Sequence, residues 1–251
     1  MIRLERQGDV FVLTMVAGEN RWNTTFVRAF DEALDEVAAS EGPASLVTVS
    51  DNEKFFSNGL DLEWISSAGE HPGGDRKAFV AEAMALFGRM ITFPIPTVCA
   101  VNGHAFGAGF MIALCHDVRV MREDRGYLCA NELELGMSIP EPELALFRHK
   151  IPMNAFFETV QLARRWSGVD ALAAGIVQQV AGKDAVRDEA IKTAAGLVKL
   201  AKNREVFGWM KEHIYGENAA INNGHGPAFM LRNQSMYPSG PGHIPPKPPE
   251  S

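Results

Sequence analysis

Two hydrophobic periods alternate along the first half of the chain. Ile2-Arg3-Leu4-Glu5-Arg6 switches between apolar and polar at every step, Gly8-Asp9 breaks the run, and Val10 to Val16 is mostly apolar and β-branched. Both segments predict strands. Gly18-Glu19-Asn20 interrupts again. Asn23-Thr24-Thr25 then offers a helix N-cap, and Phe26, Phe30, Leu34 and Val37 carry helical spacing to about Ser40. Leu46 to Ser50 reads as a short buried strand that ends at Asp51-Asn52-Glu53. A loop over 69–75 precedes a helix predicted for 76–91 from Phe79, Ala83, Leu86, Phe87 and Met90, and Pro94 and Pro96 stop it. Thr97 to Val101 and Val118 to Met121 read as strands on either side of a helical run, Phe110 to Cys115. Strands alternating with helices predict an α/β architecture with largely parallel pairing.

Past Pro140 the pattern turns helical, with candidate helices at 143–149, 154–164, 169–175, 184–202 and 204–215. The final stretch, 237–251, is dominated by proline and glycine and reads as an extended tail. The expected division is a core over 1–190, a helical part over 191–236 that covers the site or docks on a neighbouring subunit, and the tail. No internal repeat is evident from the residues.

Composition narrows the class. With 251 residues, 46% hydrophobic and 22% charged, the chain is neither disordered, collagen-like nor a disulfide scaffold. A net charge of -7 without a basic block argues against a nucleic-acid partner. No apolar run reaches the roughly 18–20 residues of a membrane span, and Met1 to Arg6 is charged where a signal peptide needs its apolar region. The odd set of Cys99, Cys115 and Cys129, in apolar surroundings, reads as buried reduced thiols of a cytoplasmic protein.

Three segments can carry chemistry. In Lys54-Phe55-Phe56-Ser57-Asn58-Gly59-Leu60-Asp61-Leu62 a Ser-Asn-Gly turn can aim backbone N–H groups outward, or serve as an ordinary strand-to-helix turn. In Asn102-Gly103-His104-Ala105-Phe106-Gly107-Ala108-Gly109 the glycines fall between a strand and a helix. Their order is not Gly-x-Gly-x-x-Gly, and there is no P-loop lysine. What remains is a helix N-terminus able to stabilise an oxyanion, or glycines for tight packing. In Asn131-Glu132-Leu133-Glu134-Leu135-Gly136, alternation puts both glutamates on one face if the segment is a strand; either a general base or two solvated carboxylates fits. His104, His116 and His149 lack metal-ligand spacing, and no Gly-x-Ser-x-Gly elbow occurs.

Taken in order, these segments resemble the enoyl-CoA hydratase/isomerase (crotonase) family, with the likeness running from Ile2 to about Val180. The resemblance extends to the stretch from Ala163-Arg164-Arg165-Trp166 to Ala174-Gly175-Ile176-Val177-Gln178-Gln179-Val180. It implies a spiral of ββα units with a helical C-terminal part, a homotrimer or dimer of trimers, and an acyl-CoA thioester as substrate. No further cofactor and no metal is expected, since coenzyme A is part of the substrate. It also implies that the backbone N–H groups of Leu60 and Ala108 hold the thioester oxygen as it becomes an enolate. Ser57, Asn58, Gly59, Asp61 and Gly107 are the substrate-binding positions around them, and Phe106, Phe110, Met111 and Leu135 are candidates for an apolar pocket wall.

Family hydratases carry two glutamates that share a water, at positions matching Met111 and Glu132. This chain keeps the second and lacks the first. Hydration is easiest with an acid and a base in different protonation states. Moving a double bond from the 3 to the 2 position needs only one carboxylate, to carry a proton from C2 to C4 on one face. The resemblance is therefore closest to the Δ3,Δ2-enoyl-CoA isomerases, with Glu132 as proton shuttle. A hydratase, or a non-catalytic acyl-CoA binder, is the alternative.

Overall fold

A computed structural model describes residues 1–67, 74–219 and 224–238. The 69–75 loop lies mostly, and the 237–251 tail almost wholly, outside the described residues.

The chain opens with β1 (Ile2–Gln7) and β2 (Val10–Met15), an antiparallel hairpin, followed by α1 (Thr24–Ala39). Asn23 caps α1 by accepting the Phe26 N–H at 3.0 Å, and the stripe from Phe26 to Val37 is buried. From β3 onward the chain winds as a spiral that visits two sheets in turn. β3 (Ser45–Ser50), β5 (Thr97–Val101), β7 (Val118–Arg122) and β9 (Gln179–Ala181) extend the hairpin into a six-stranded sheet, ordered β1-β2-β3-β5-β7-β9 and parallel from β2 on. β4 (Phe55–Ser57), β6 (His104–Phe106) and β8 (Leu128–Cys129) follow β3, β5 and β7 and form a second, three-stranded parallel sheet. Helices complete the successive turns: α2 (Leu62–Ser66) with α3 (Arg76–Ile91), then α4 (Ala108–Cys115), then α5 (Glu141–Lys150). This is the expected α/β spiral of ββα units. Its repeat is structural and leaves no trace in residue identity.

The helical part is as expected in kind and shorter in extent. It comprises α6 (Met153–Val160), α7 (Gly168–Ala173), α8 (Val186–Leu197), α9 (Arg204–Tyr215) and α10 (Pro227–Arg232). The expected 154–164 helix ends early, where Ala163 takes a left-handed φ of 49°. The 184–202 helix tightens into a 3₁₀ turn over Val198–Ala201. α9 is tied down by Lys211, whose buried ammonium pairs with Asp117 at 2.8 Å and donates to the Phe93 carbonyl at 2.9 Å. Breaking one side of such a pair leaves an unmatched charge inside the protein.

Two bonded residues set the end of β4. Asn20 donates from Nδ2 to Ser50 Oγ and to the Phe56 carbonyl, at 2.7 and 3.0 Å. The Trp22 indole donates to Ser57 Oγ at 3.0 Å. α4 seats against this strand end through Gly109: a Cβ there would stand 2.8 Å from Ser57 Cβ. Gly109→Ala is therefore expected to lower the melting temperature by an overpacking cost of about 1–3 kcal/mol. Gly196→Ala, in α8 with open space around it, is expected to be neutral or stabilising by up to about 1 kcal/mol. Thermal melts of the two variants beside the parent check both.

Candidate active site

The segments singled out in the sequence converge because each follows a strand of the small sheet. Asn58-Gly59-Leu60 leaves β4, Gly107-Ala108 leaves β6, and Asn131-Glu132 leaves β8. Parallel pairing puts all three at one edge. The first two abut: a Cβ on Gly59 would lie 2.7 Å from the Phe106 carbonyl oxygen and 3.7 Å from the Ala108 nitrogen, and Gly59 holds a φ of 79°.

Trp22 fixes the direction of the Leu60 N–H. It donates to the Gly59 carbonyl and accepts from the Asp61 N–H, each at 2.9 Å, so Leu60 turns its own N–H away from that bridge. Ala108 is the first residue of α4, where an N–H has no partner within the helix. Among the described residues, neither N–H donates a hydrogen bond. The two groups line the junction of two cavities. The outer one, about 390 Å³, is walled by Asn58, Phe106, Gly107, Asn131 and Leu135. The inner one, about 610 Å³, is walled by α2, α3, α4 and the start of α5.

Glu132 lines both cavities with Leu60, Ala108 and Met137. The strand reading of this segment is corrected. Glu132 has α-helical dihedrals, Leu133–Leu135 is a 3₁₀ turn, and Gly136 closes it at φ 72°. The turn separates the glutamates that alternation would have paired. Glu134 is exposed and bonded to Arg165 at 2.8 Å, whereas Glu132 is buried. Its Oε1 faces Gly107, where a Cβ would come within 3.1 Å, and its Oε2 has no hydrogen-bond partner. Burial pushes the Glu132 carboxyl from 4.5 up to about 7, against a hydrogen bond from its own backbone that pulls it down.

The remaining predicted positions divide. Asn58, Gly59, Phe106, Gly107 and Leu135 face the outer cavity and Met111 faces the inner one. Three point elsewhere. Phe110 turns into the core against Phe147, ring centroids 5.4 Å apart, and lines neither cavity, because α4 is buried on every side and presents only Met111 and Ala108 to the space. The Ser57 hydroxyl accepts from Trp22 and donates to the Asn20 carbonyl. Asp61 caps α2, accepting from the Trp64 N–H at 3.1 Å. The cysteines are buried and unpaired, and burial pushes the Cys115 and Cys129 thiols up to about 12 and about 11. Among the described residues no cluster has the makings of a metal site, and no helix is long and apolar enough to cross a membrane.

One group escapes the sequence reading altogether. Glu143, in the first turn of α5, is buried, lines the inner cavity, and leaves Oε2 unpartnered. Burial, with the charge of Glu132 adding to it, pushes its carboxyl up to about 8. A second buried carboxyl thus lines the inner cavity, at a position other than Met111. The available signal was spacing: Glu143 stands three and four residues before the buried Leu146 and Phe147, on the inward face of α5.

The site defined in this way sets two unengaged backbone N–H groups beside a buried carboxyl, in a two-sheet spiral. The chain belongs to the enoyl-CoA hydratase/isomerase family, whose sequence profile matches residues 5–222. It is 31% identical over 227 residues to an Arabidopsis thaliana protein named enoyl-CoA delta isomerase 2, peroxisomal, covering 88% of this chain and 95% of that one. It is 33% identical over 222 residues to Arabidopsis enoyl-CoA delta isomerase 1, peroxisomal, covering 86% and 90%. Human mitochondrial delta3-delta2-enoyl-CoA isomerase shares the fold, with a TM-score of 0.76 at 21% identity over 94% of this chain and 93% of that one.

The shifted Glu143 carboxyl predicts a pH-dependent stability. Its pKa is higher folded than unfolded, so its contribution is complete below about 4.5 and is lost as pH rises through about 8. Glu143→Gln cannot ionise and escapes that loss. Its melting temperature should gain on the parent steadily from pH 5 to pH 8.5. A constant difference across that range would mean that Glu143 ionises as an exposed glutamate does.

Proposed function

We propose that this protein isomerises 3-enoyl-CoA to trans-2-enoyl-CoA, with Glu132 as the only proton carrier and the N–H groups of Leu60 and Ala108 as the oxyanion hole. The observation that carries the reading is the buried Glu132 carboxyl, its Oε2 unpartnered, at the junction that Leu60 and Ala108, with their unengaged N–H groups, also line. A thioester oxygen held by those donors gains stabilisation as the C2 proton leaves and negative charge moves onto it. Glu132 takes that proton and returns it at C4 on the same face, which restores the carboxylate and leaves the double bond at C2–C3. A carboxyl raised toward 7 is a stronger base than an ordinary glutamate and still ionises near neutrality. The chemistry asks for no metal or redox group, and coenzyme A enters as part of the substrate. The isomerase names of the Arabidopsis relatives support the same reading.

A hydratase reading has one observation in its favour, the second carboxyl in the inner cavity. Two close carboxyls in different protonation states are what activation of a water requires. Incubation with a 3-enoyl-CoA and, separately, a 2-enoyl-CoA decides: 2-enoyl product from the first supports isomerisation, and comparably fast 3-hydroxyacyl-CoA formation from the second favours hydration. Tight thioester binding without turnover would instead indicate a binding protein.

A homotrimer, or a dimer of such trimers, is supported by the outer face of α9, where Val206, Trp209 and Met210 are apolar and exposed. Buried, unpaired cysteines support a reducing compartment such as the cytoplasm. Two relatives carry the word peroxisomal in their names.

Glu132→Gln keeps the cavity's shape and removes the base, so it should lower turnover by about 10²–10⁴-fold with thioester binding retained. Glu134→Gln should leave the rate near that of the parent. The parent's rate should rise with pH through about 7 as Glu132 gives up its proton. A larger loss from Glu134→Gln than from Glu132→Gln would reassign the base.

Ala108→Pro tests the hole through the backbone. Proline fits the first helical position, so folding should largely survive. Loss of the donor should lower kcat by about 10²–10³-fold. A folded variant with the parent's rate would remove Ala108 from the site.

A further inference from the structure

We propose that the inner cavity is built for an acyl chain with an oxygen substituent beyond its double bond, a hydroxy- or oxo-acyl group. Glu143 and Ser138 form the subsite that reads it. The proposal rests on the enoyl-CoA reading above and names the acyl class for it.

The wall of the inner cavity is apolar except at three places. Ile65, Phe79, Val80, Met84 and Ile139 present hydrocarbon; Glu132 Oε2, Glu143 Oε2 and Ser138 Oγ are buried polar atoms without a hydrogen-bond partner. Buried polar groups are nearly always bonded, and three orphans in one cavity call for something that enters it. The proton transfer uses Glu132. It uses neither Glu143 nor Ser138.

Position separates these two from the reaction centre. Glu132, Leu60 and Ala108 line both cavities, whereas Glu143 and Ser138 line only the inner one. They therefore face the part of the chain that continues past the thioester and the shifting double bond. The start of α5 does not itself explain a buried acid. Glu141, in the same first turn, is exposed and already supplies a carboxylate to the helix N-terminus.

The chemistry of the pair fits an oxygen. Held neutral in its apolar surroundings, the Glu143 carboxyl both donates and accepts, as does the Ser138 hydroxyl. Together they can satisfy a hydroxyl, or donate to an oxo group. A hydrocarbon chain leaves both unpaired. A site that hydrogen-bonds a substrate oxygen discriminates strongly against the analogue that lacks it, because its own buried groups are then stranded.

The test compares 3-hexenoyl-CoA with 5-hydroxy- and 6-hydroxy-3-hexenoyl-CoA on the purified protein. At least one hydroxylated substrate should be preferred by tenfold or more in kcat/KM. Glu143→Leu should invert that ranking, Glu143→Gln should retain most of it, and Ser138→Ala should narrow it. If Glu143→Leu does not fold, the glutamine and alanine variants still carry the comparison. Equal or better use of the plain chain by the parent overturns the proposal. So does an equal loss on every substrate in the Glu143 variants, which would make Glu143 a group of the reaction itself. If no substrate is isomerised, calorimetric binding of hexanoyl-CoA and its 5- and 6-hydroxy derivatives tests the subsite apart from the activity. Tenfold tighter binding of a hydroxylated chain, lost in Glu143→Leu, sustains the subsite; indifference overturns it.

Discussion

Parallel pairing of three very short strands, β4, β6 and β8, is the constraint on which the site depends. Parallel strands end in the same direction, so the residues that follow them share an edge, and ligands of parallel sheets gather at that edge. Pairing also consumes backbone donors up to the strand ends. Gly107 still donates to the Cys129 carbonyl at 3.0 Å, and one residue later Ala108 is free to donate outward. At the neighbouring strand end, Trp22 claims the groups on either side of Leu60 and leaves the Leu60 N–H over. The two unengaged N–H groups are thus what remains after the ladders are complete. Strands of two or three residues hold this register because the rest of the spiral clamps them through Asn20, the Trp22 indole and the close seat of Gly109 on Ser57.

The electrostatics follow from the same geometry. A carboxyl at this edge lies under α3, α4 and α5, away from water, and among the described residues no Lys or Arg lines either cavity. Unpaired burial disfavours its charge and lifts its pKa. An arginine beside Glu132 would have stabilised the carboxylate and weakened it as a base. Of the cations this protein buries, Lys211 pairs with Asp117 and fixes α9, Arg122 pairs with Asp124, and Arg119 donates to the His116 and Ile176 carbonyls. Charge pairing is used where the fold needs anchoring, and among the described residues Glu132 has none.

Legibility from sequence followed element length and chemistry. The long elements were plain: α1 has both a capping asparagine and an unbroken apolar stripe, and β2, β3 and β5 are apolar runs between breakers. The small sheet was not, since strands such as Leu128–Cys129 are too short to show a period. Alternation failed over Asn131 to Gly136 because a left-handed glycine closes a 3₁₀ turn there, and such a turn sends residues two apart in different directions. The backbone donors emerged from the glycine spacing and the family likeness together. Ser57, Asp61 and Phe110 sit near the site in sequence and spend their side chains on its supports. Glu143 was hidden by a rule that holds for most proteins: an acid in a helix's first turn reads as a dipole partner in solvent.

The two ends of the site are therefore built from different kinds of group. The two unengaged N–H groups are backbone, so side-chain substitution at Leu60 or Ala108 leaves them in place, and Glu132 is one residue held by one turn. The inner cavity, by contrast, is walled mostly by side chains from α2, α3 and the segment from Met137 to Glu143, with Met111 of α4. Those elements pack against the sheet edge without contributing a strand to it, and their inward residues can change while the ladders stay intact. An architecture of this kind lets the cavity wall vary independently of the backbone N–H groups. For that reason the family to which the chain belongs says more about what happens at the thioester than about which acyl chain is brought to it.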